Sequence, residues 1–289
     1  MEQGYKWIAS IDLKSFFDEI PHNLILKLIR RKISDERLVT LIARALKAGV
    51  IVKGKFEKTI KGCPQGSPLS PILSNIVLNE MDQELERRGL VYCRWADDSV
   101  ILLKSERAAR RVMQGMVKYL EEVLRLPVNK EKSEVAKVKD ITFLGIQIKA
   151  KKIHISNKSL EKFKIRVKQL TKRNNPLSMY QIIQELNKYL RGWVSYFRIQ
   201  ELKATFGKID VWIRNRLRIM QLRKWKKPKK FQRVMIKAGF RPYEAHRMWV
   251  NMRSWRSIYR KEVLIVLCRE WFKRVGLIFL DNFTRKSLG

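Results

Sequence analysis

The sequence predicts an α+β fold, a small antiparallel sheet backed by helices, followed by an all-helical and strongly basic second half. Three observations predict it. Short β-forming runs sit at Trp7–Leu13 and on both sides of an Asp-Asp pair within 91–103. Between them, apolar residues recur at helical spacing. Near Ser156 the strand signals fade and the charge changes. Residues 1–150 carry 27 basic and 19 acidic side chains (+8), whereas residues 151–289 carry 36 and 8 (+28).

The elements follow in order. Trp7-Ile8-Ala9-Ser10-Ile11-Asp12-Leu13 reads as a strand ending in an aspartate. Leu24, Leu28, Leu38, Leu41, Ile42 and Ala45 share one face of a helix over 22–48, with Pro21 as its start signal. A second helix covers 68–89 and is closed by Gly89. Val91–Trp95 and Ser99–Leu103 read as hairpin arms, joined by Ala96-Asp97-Asp98 at a tight turn. A third helix, 105–124, starts after Ser105, and 141–155 alternates as strands around Gly145. Beyond that, helices are expected at Ser159–Arg173 and Ser178–Ile199, parted by Asn174-Asn175-Pro176. Four more follow at about 208–223, 228–239, 242–252 and 260–275. The division expected is 1–157 and 158–289.

Adjacent aspartates at a hairpin tip demand an explanation, because like charges side by side repel unless a cation is shared between them. Asp12, at the end of its own strand, supplies a third carboxylate. Hard oxygen ligands brought together from separate strands suit a pair of divalent ions and phosphoryl transfer. An ordinary Asp-rich turn is the alternative for the pair taken alone.

Five ordered segments carry a resemblance. Asp12-Leu13-Lys14-Ser15-Phe16-Phe17-Asp18, Pro64-Gln65-Gly66-Ser67-Pro68-Leu69-Ser70-Pro71 and Arg94-Trp95-Ala96-Asp97-Asp98 closely resemble the palm motifs of reverse transcriptases. The continuation through Asn79 resembles the group II intron-encoded class, and Leu126–Ser133 and Phe143-Leu144-Gly145-Ile146 agree in order and spacing. Tyr189-Leu190-Arg191-Gly192-Trp193-Val194-Ser195-Tyr196-Phe197 resembles the thumb and RNA-binding maturase region, domain X. The resemblance thus implies a palm over 1–157 and a thumb and maturase region over 158–289.

It also implies roles. Asp12, Asp97 and Asp98 would be the catalytic residues and the ligands of two Mg²⁺, with Mn²⁺ as a substitute. Leu13, Phe17, Gln65 and Lys132 would contact the incoming nucleotide. Phe17 would act as a steric gate against the ribose 2′-hydroxyl, and Lys132 would sit near the phosphates. Only one of Phe16 and Phe17 is expected in the core, since neighbours diverge in direction. Trp95, Phe143, Leu144 and Gly145 would touch the primer strand. Trp95 departs from the tyrosine usual there, losing a hydroxyl and adding bulk, which puts rate or fidelity at risk. Only eleven residues precede Asp12, so against the family pattern the chain reads as lacking the N-terminal fingers region.

The function implied is RNA-directed DNA polymerase activity of group II intron type, with RNA binding that assists splicing and mobility. Two alternatives remain: a truncated, inactive RNA-binding maturase relative, and a reverse transcriptase recruited to a phage-defence or CRISPR system. The partners implied are structured intron RNA, an RNA template with a DNA primer, and deoxynucleoside triphosphates. A homodimer or a separate fingers polypeptide would complete the polymerase.

Composition supports a nucleic-acid partner independently. A net charge of +36 on 289 residues self-repels unless a polyanion screens it. Cations and rings interleave at Arg223-Lys224-Trp225-Lys226-Lys227-Pro228-Lys229-Lys230-Phe231, making Arg223, Lys224, Lys226, Lys227, Lys229 and Lys230 candidate RNA contacts. The rings themselves are expected to be mostly structural. Cys63, Cys93 and Cys268 are scattered and form no zinc or disulfide pattern. With three histidines, a His-based site is not expected, and His22 reads as a helix-start residue. No apolar stretch approaches 18 residues, so no membrane span is expected. A reducing bacterial cytoplasm, in association with nucleoid or RNA, is the location these features suit, with an organellar origin as the alternative.

Overall fold

The computed structural model describes residues 4–52, 55–57, 59–64, 66–149, 152–198, 202–251 and 255–283. The chain divides into two compact units, Met1–Phe143 with Gln147–Lys151, and Leu144–Ile146 with Lys152–Gly289.

The first unit is built on a four-stranded antiparallel sheet. Its strands are β1 (Trp7–Ile11), β4 (Val91–Trp95), β5 (Asp98–Leu103) and β6 (Glu134–Lys137), in the order β4-β5-β1-β6. A hairpin of β2 (Val50–Val52) and β3 (Lys55–Glu57) lies apart from it. In the sheet, Ala9 pairs with Ile101 and Ile11 with Ser99, so the period-2 alternation sorts side chains between two faces. Ala9, Ile11, Ile101 and Leu103 enter the main core; Ile8 and Val100 face a smaller cluster with Val138 and Ile141.

Helices cover the main face. They are α1 (Phe16–Glu19), α2 (His22–Arg30), α3 (Glu36–Lys47), α4 (Ser70–Arg87) and α5 (Glu106–Lys118). Pro71 opens α4, and Gly89 closes it at φ +64°, with Leu90 N–H donating to the Leu85 carbonyl and Gly89 N–H to Glu86. The last turn of the third expected helix is π-helical, over Tyr119–Val123.

Three expectations need correction here. The apolar spacing over 22–48 spans two helices, because Asp35 caps α3 by accepting from Arg37 N–H (2.8 Å) and Leu38 N–H (3.4 Å), which ends the α2 register. Asp35→Ala should therefore cost about 1 kcal/mol in urea denaturation. Residues 141–145 are not strand, since Leu144 (φ +49°) and Gly145 (φ +76°) turn the chain; β7 (Ile146–Lys149) and β8 (Lys152–Ile155) follow as a two-stranded sheet. The expected helix 260–275 is broken, as described below.

The second unit is helical: α6 (Asn157–Leu170), α7 (Met179–Phe197), α8 (Lys203–Lys224), α9 (Pro228–Lys237), α10 (Pro242–Val250), α11 (Lys261–Val266) and α12 (Arg269–Arg274). Ser178 and Gln181 form a reciprocal capping box at the head of α7. Phe163, Leu186, Leu190, Phe206, Leu217, Phe231 and Phe272 form its core. Trp225 is buried there, in edge contact with Phe231 and Trp271, so this ring is structural. Helices α11 and α12 separate at Leu267, whose carbonyl accepts from Arg218 Nε at 3.0 Å instead of continuing the helix. No described helix is long and apolar enough to cross a membrane.

Candidate active site

Asp12 leaves the end of β1 half-buried, and the backbone around it is fixed from the 127–133 turn. Asp12 N–H donates to Ser133 Oγ (3.0 Å), its carbonyl accepts from Asn129 N–H (2.9 Å), and Lys14 N–H donates to Pro127 (2.9 Å). Asn129 Oδ1 accepts from Glu131 and Lys132 N–H, which folds that turn back on itself. Lys132 Nζ ends 4.0 Å from Asp12 Oδ1, on an exposed side chain.

The hairpin brings the other two carboxylates beside this end of β1. Trp95 pairs with Asp98, so Asp98 opens β5 and only Ala96 and Asp97 form the turn. That corrects the expectation that both aspartates lie within it. Ala96 takes a left-handed conformation (φ +53°), which reorients the chain between Trp95 and Asp97. Because Ile11 pairs with Ser99, Asp12 and Asp98 continue adjacent strands at the same level. The carboxyl of Asp98 is raised above its usual range by burial first, then by the charges of Asp97 and Asp12, with Lys132 opposing. Three hard oxygen donors that repel one another are a donor set a divalent cation suits. As the side chains stand, no described group of three His, Cys, Asp or Glu residues is gathered to hold a metal ion.

Around these carboxylates, Phe16 enters the core and Phe17 stays half-buried beside it, ring centroids 5.5 Å apart. The short helix α1 that carries them is held by the loop before α4: Gly62 N–H donates to the Ile20 carbonyl (2.7 Å) and Cys63 N–H to the Phe17 carbonyl (2.6 Å). Gly62 sits at φ +86°, and a Cβ there would stand 2.7 Å from the Asp18 carbonyl oxygen. His22 begins α2 and is buried, with Nε2 donating to the Gly62 carbonyl (2.7 Å).

The remaining expected residues scatter. Leu13 points into the core, leaving only its backbone for a ligand. Gln65 lies outside the described residues. Trp95 is 65% exposed at the hairpin tip. Phe143 packs against the Ile8–Val100 cluster in the first unit, while Leu144 and Gly145 belong to the second, where the Leu144 carbonyl accepts from Tyr196 Oη (2.9 Å).

In the second unit, Arg223 and Lys224 end α8, and Lys226 and Lys227 lead into α9. Lys226, Lys227, Lys229 and Lys230 are exposed. Lys224 departs from the expected RNA contacts: its ammonium donates to the Asn175 (3.3 Å) and Leu177 carbonyls, tying α8 to the α6–α7 connection. The first turn of α9 has no acidic residue, so its lysines face the positive end of the helix dipole. A nearby anion relieves that arrangement.

Arg94, Ser133, Asn129 and Gly62 are the positions whose part in this geometry sequence reasoning missed. Arg94 forks onto Asp82 in α4, with Nε 2.8 Å from Oδ1. Only an aspartate twelve residues upstream, on a helix, hints at it.

Residues 1–148 match the family model described as reverse transcriptase (RNA-dependent DNA polymerase). The chain belongs to the reverse transcriptases. Residues 160–239 of this reverse transcriptase match the group II intron, maturase-specific domain. Protein YkfC of Escherichia coli (strain K12) is 35% identical over 175 residues, 48% of this chain and 46% of that protein. Group II intron-encoded protein LtrA of Lactococcus lactis subsp. cremoris is 42% identical over 80 residues, 28% of this chain and 13% of LtrA. The matched stretches span less than half the length of either relative. Among solved structures, apo telomerase from Candida Tropicalis aligns with 94% of this reverse transcriptase and 48% of its own chain, with a TM-score of 0.47 at 12% identity.

Proposed function

We propose that this chain acts as an RNA-directed DNA polymerase of group II intron type, and that its second unit binds intron RNA and assists splicing and mobility. The observation that carries the reading is the register that sets Asp12, at the end of β1, level with Asp98 at the start of β5 and next to Asp97 in the turn, with the Asp98 carboxyl raised by burial first and then by the charges of Asp97 and Asp12. Asp12 and Asp97 would hold two Mg²⁺, with Asp98 as the outer partner. When bound, Mg²⁺ makes the primer 3′-hydroxyl more acidic and offsets the charge of the departing pyrophosphate. Lys132, already beside Asp12, adds a cation near the phosphates. Phe17 closes the sugar pocket against a 2′-hydroxyl by its bulk, Gln65 contacts the nucleotide, and Trp95 offers a ring face to the primer end. In the reaction the 3′-oxygen bonds to the α-phosphorus of a deoxynucleotide, its proton passes to water, and the bond from the α-phosphorus to the bridging oxygen breaks to release pyrophosphate.

The test is primer extension on an RNA template with Mg²⁺ and deoxynucleotides, comparing the chain with Asp97→Ala. Extension by the native chain that disappears in the variant supports the reading. Absence of extension from both, alongside tight RNA binding, would replace it with a non-catalytic maturase relative.

The basic run gives a second expected result. Lys226, Lys227, Lys229 and Lys230 each neutralise a phosphate in this reading, so replacing all four with glutamine should reduce the slope of log affinity against log salt by about 3. Filter binding of a structured RNA between about 50 and 300 mM KCl, spanning physiological ionic strength, measures it. An unchanged slope would move the RNA contact elsewhere.

A further inference from the structure

We propose that Arg94 is a positioning residue for the Asp97–Asp98 tip, fastening the turn to helix α4 and so fixing where the two carboxylates stand. The inference rests on the proposed catalytic role of those aspartates.

Arg94 lies two residues before the Ala96-Asp97 turn, on the opposite strand face from exposed Trp95. Its guanidinium makes four bonds. Nε donates to Asp82 Oδ1 (2.8 Å), Nη2 to Asp82 Oδ2 (2.5 Å), and Nη1 to both Asn75 Oδ1 (3.1 Å) and the Ala96 carbonyl (3.0 Å). The Arg94 and Asp82 side chains are only 15% and 16% exposed, so water competes weakly for the pair. Asp82 and Asn75 are seven residues apart on α4, two helical turns, and present one face to the arginine. The platform is stiff: α4 runs 18 residues and buries Leu73, Val77, Leu78, Met81 and Leu85 in the main core.

What lifts this above an ordinary ion pair is the Nη1 bond to Ala96. Ala96 holds a left-handed conformation that a residue with a Cβ disfavours, and such a conformation persists only where the surroundings over-determine it. The carbonyl held by Nη1 directly precedes Asp97. One planar fork therefore couples a rigid helix to the peptide unit that orients the metal-binding carboxylates. Lysine would keep the charge, but its single nitrogen cannot reach Asp82, Asn75 and Ala96 in the same geometry.

The test compares native chain, Arg94→Lys, Asn75→Ala and Asp97→Ala by three readouts: primer extension against Mg²⁺ concentration, Mn²⁺ affinity by electron paramagnetic resonance, and hydrogen exchange of the peptide covering 95–99. Arg94→Lys should lower kcat about tenfold and raise the half-saturating Mg²⁺ about fivefold, with the KM for deoxynucleotide within about twofold. Mn²⁺ affinity should weaken in parallel, and exchange should quicken at 95–99 but not in β1 or α5. Should Arg94→Lys fail to fold, Asn75→Ala, which leaves the Asp82 fork intact, should show the same pattern at about threefold. Native extension rate, metal dependence and 95–99 exchange in Arg94→Lys would overturn the inference while leaving the polymerase reading intact. If Asp97→Ala extends primers and binds Mn²⁺ like the native chain, it is the polymerase reading that fails. Exchange at 95–99 still decides Arg94 in that case: no change in Arg94→Lys overturns the fastening itself.

Discussion

Asp97→Ala is expected to lower primer extension by at least about a thousandfold, a loss of about 4 kcal/mol of transition-state stabilisation. RNA affinity should stay at its native value, because the cationic run lies in the second unit. Folding stability should not fall either. Asp97 occupies a two-residue turn and contributes charge that raises the Asp98 carboxyl, so its removal relieves a repulsion. A site built for chemistry predicts this separation of activity from stability, whereas a structural carboxylate predicts the reverse. Extension rate, RNA affinity and urea midpoint on one preparation are the measurements. A variant that loses stability and activity together would mean Asp97 is a turn-former. Asp98→Ala should cost less than Asp97→Ala, since in the proposed reading Asp97 holds the ions directly and Asp98, which opens β5, is the outer partner.

The parts of this arrangement visible in the sequence are those with local signals. The β4–β5 hairpin follows from two short β-forming runs about a turn, and the end of α4 from its glycine stop. The three aspartates are legible because their spacing follows a family pattern. Other features depend on contacts between distant residues and leave no local trace. Helices α2 and α3 share one apolar spacing, so the break at Asp35 shows only in its cap. The edge strand β6 is four residues of Glu-Val-Ala-Lys, recruited by pairing Ser10 with Glu134, a pattern no alternation announces. Lys224 reads as one more surface cation, but its ammonium meets two carbonyls presented by a turn nearly fifty residues earlier. Arg94, Ser133 and Gly62 act on Ala96, Asp12 and α1 in the same way. Their partners are set by sheet register and loop packing, so the sequence names the residues without naming what they hold.

Asp210 carries the same lesson into the second unit, where its replacement should have the largest effect on stability. In sequence it is one acid within the basic helix α8, yet it is 2% exposed. Its Oδ1 accepts from Leu280 N–H (3.0 Å) and its Oδ2 from Asp281 N–H (3.1 Å), closing the return of the chain past α12; Arg269 then forks onto Asp281. Asp210→Ala would leave both amides without their acceptor, at a cost of about 2–4 kcal/mol. Burial pushes the Asp210 carboxyl up to about 6 from 3.8, outweighing the two amide bonds that favour the anion. The folded chain therefore binds a proton more tightly here than the unfolded chain does. The contribution of this group is complete below about pH 4, falls as pH rises towards 6, and is constant above that. A rise of this size amounts to about 3 kcal/mol between the two limits. A carboxamide cannot ionise and keeps one acceptor oxygen, so Asp210→Asn removes this pH dependence. The variant should therefore be more destabilised, relative to the native chain, at pH 4.5 than at pH 7. Six of the eight tryptophans lie beyond residue 190, so urea denaturation followed by their fluorescence reports chiefly on the second unit. A difference between native chain and Asp210→Asn that stays the same at both pH values would show that the buried carboxyl does not titrate in this range, and that the amide bonds alone set its contribution.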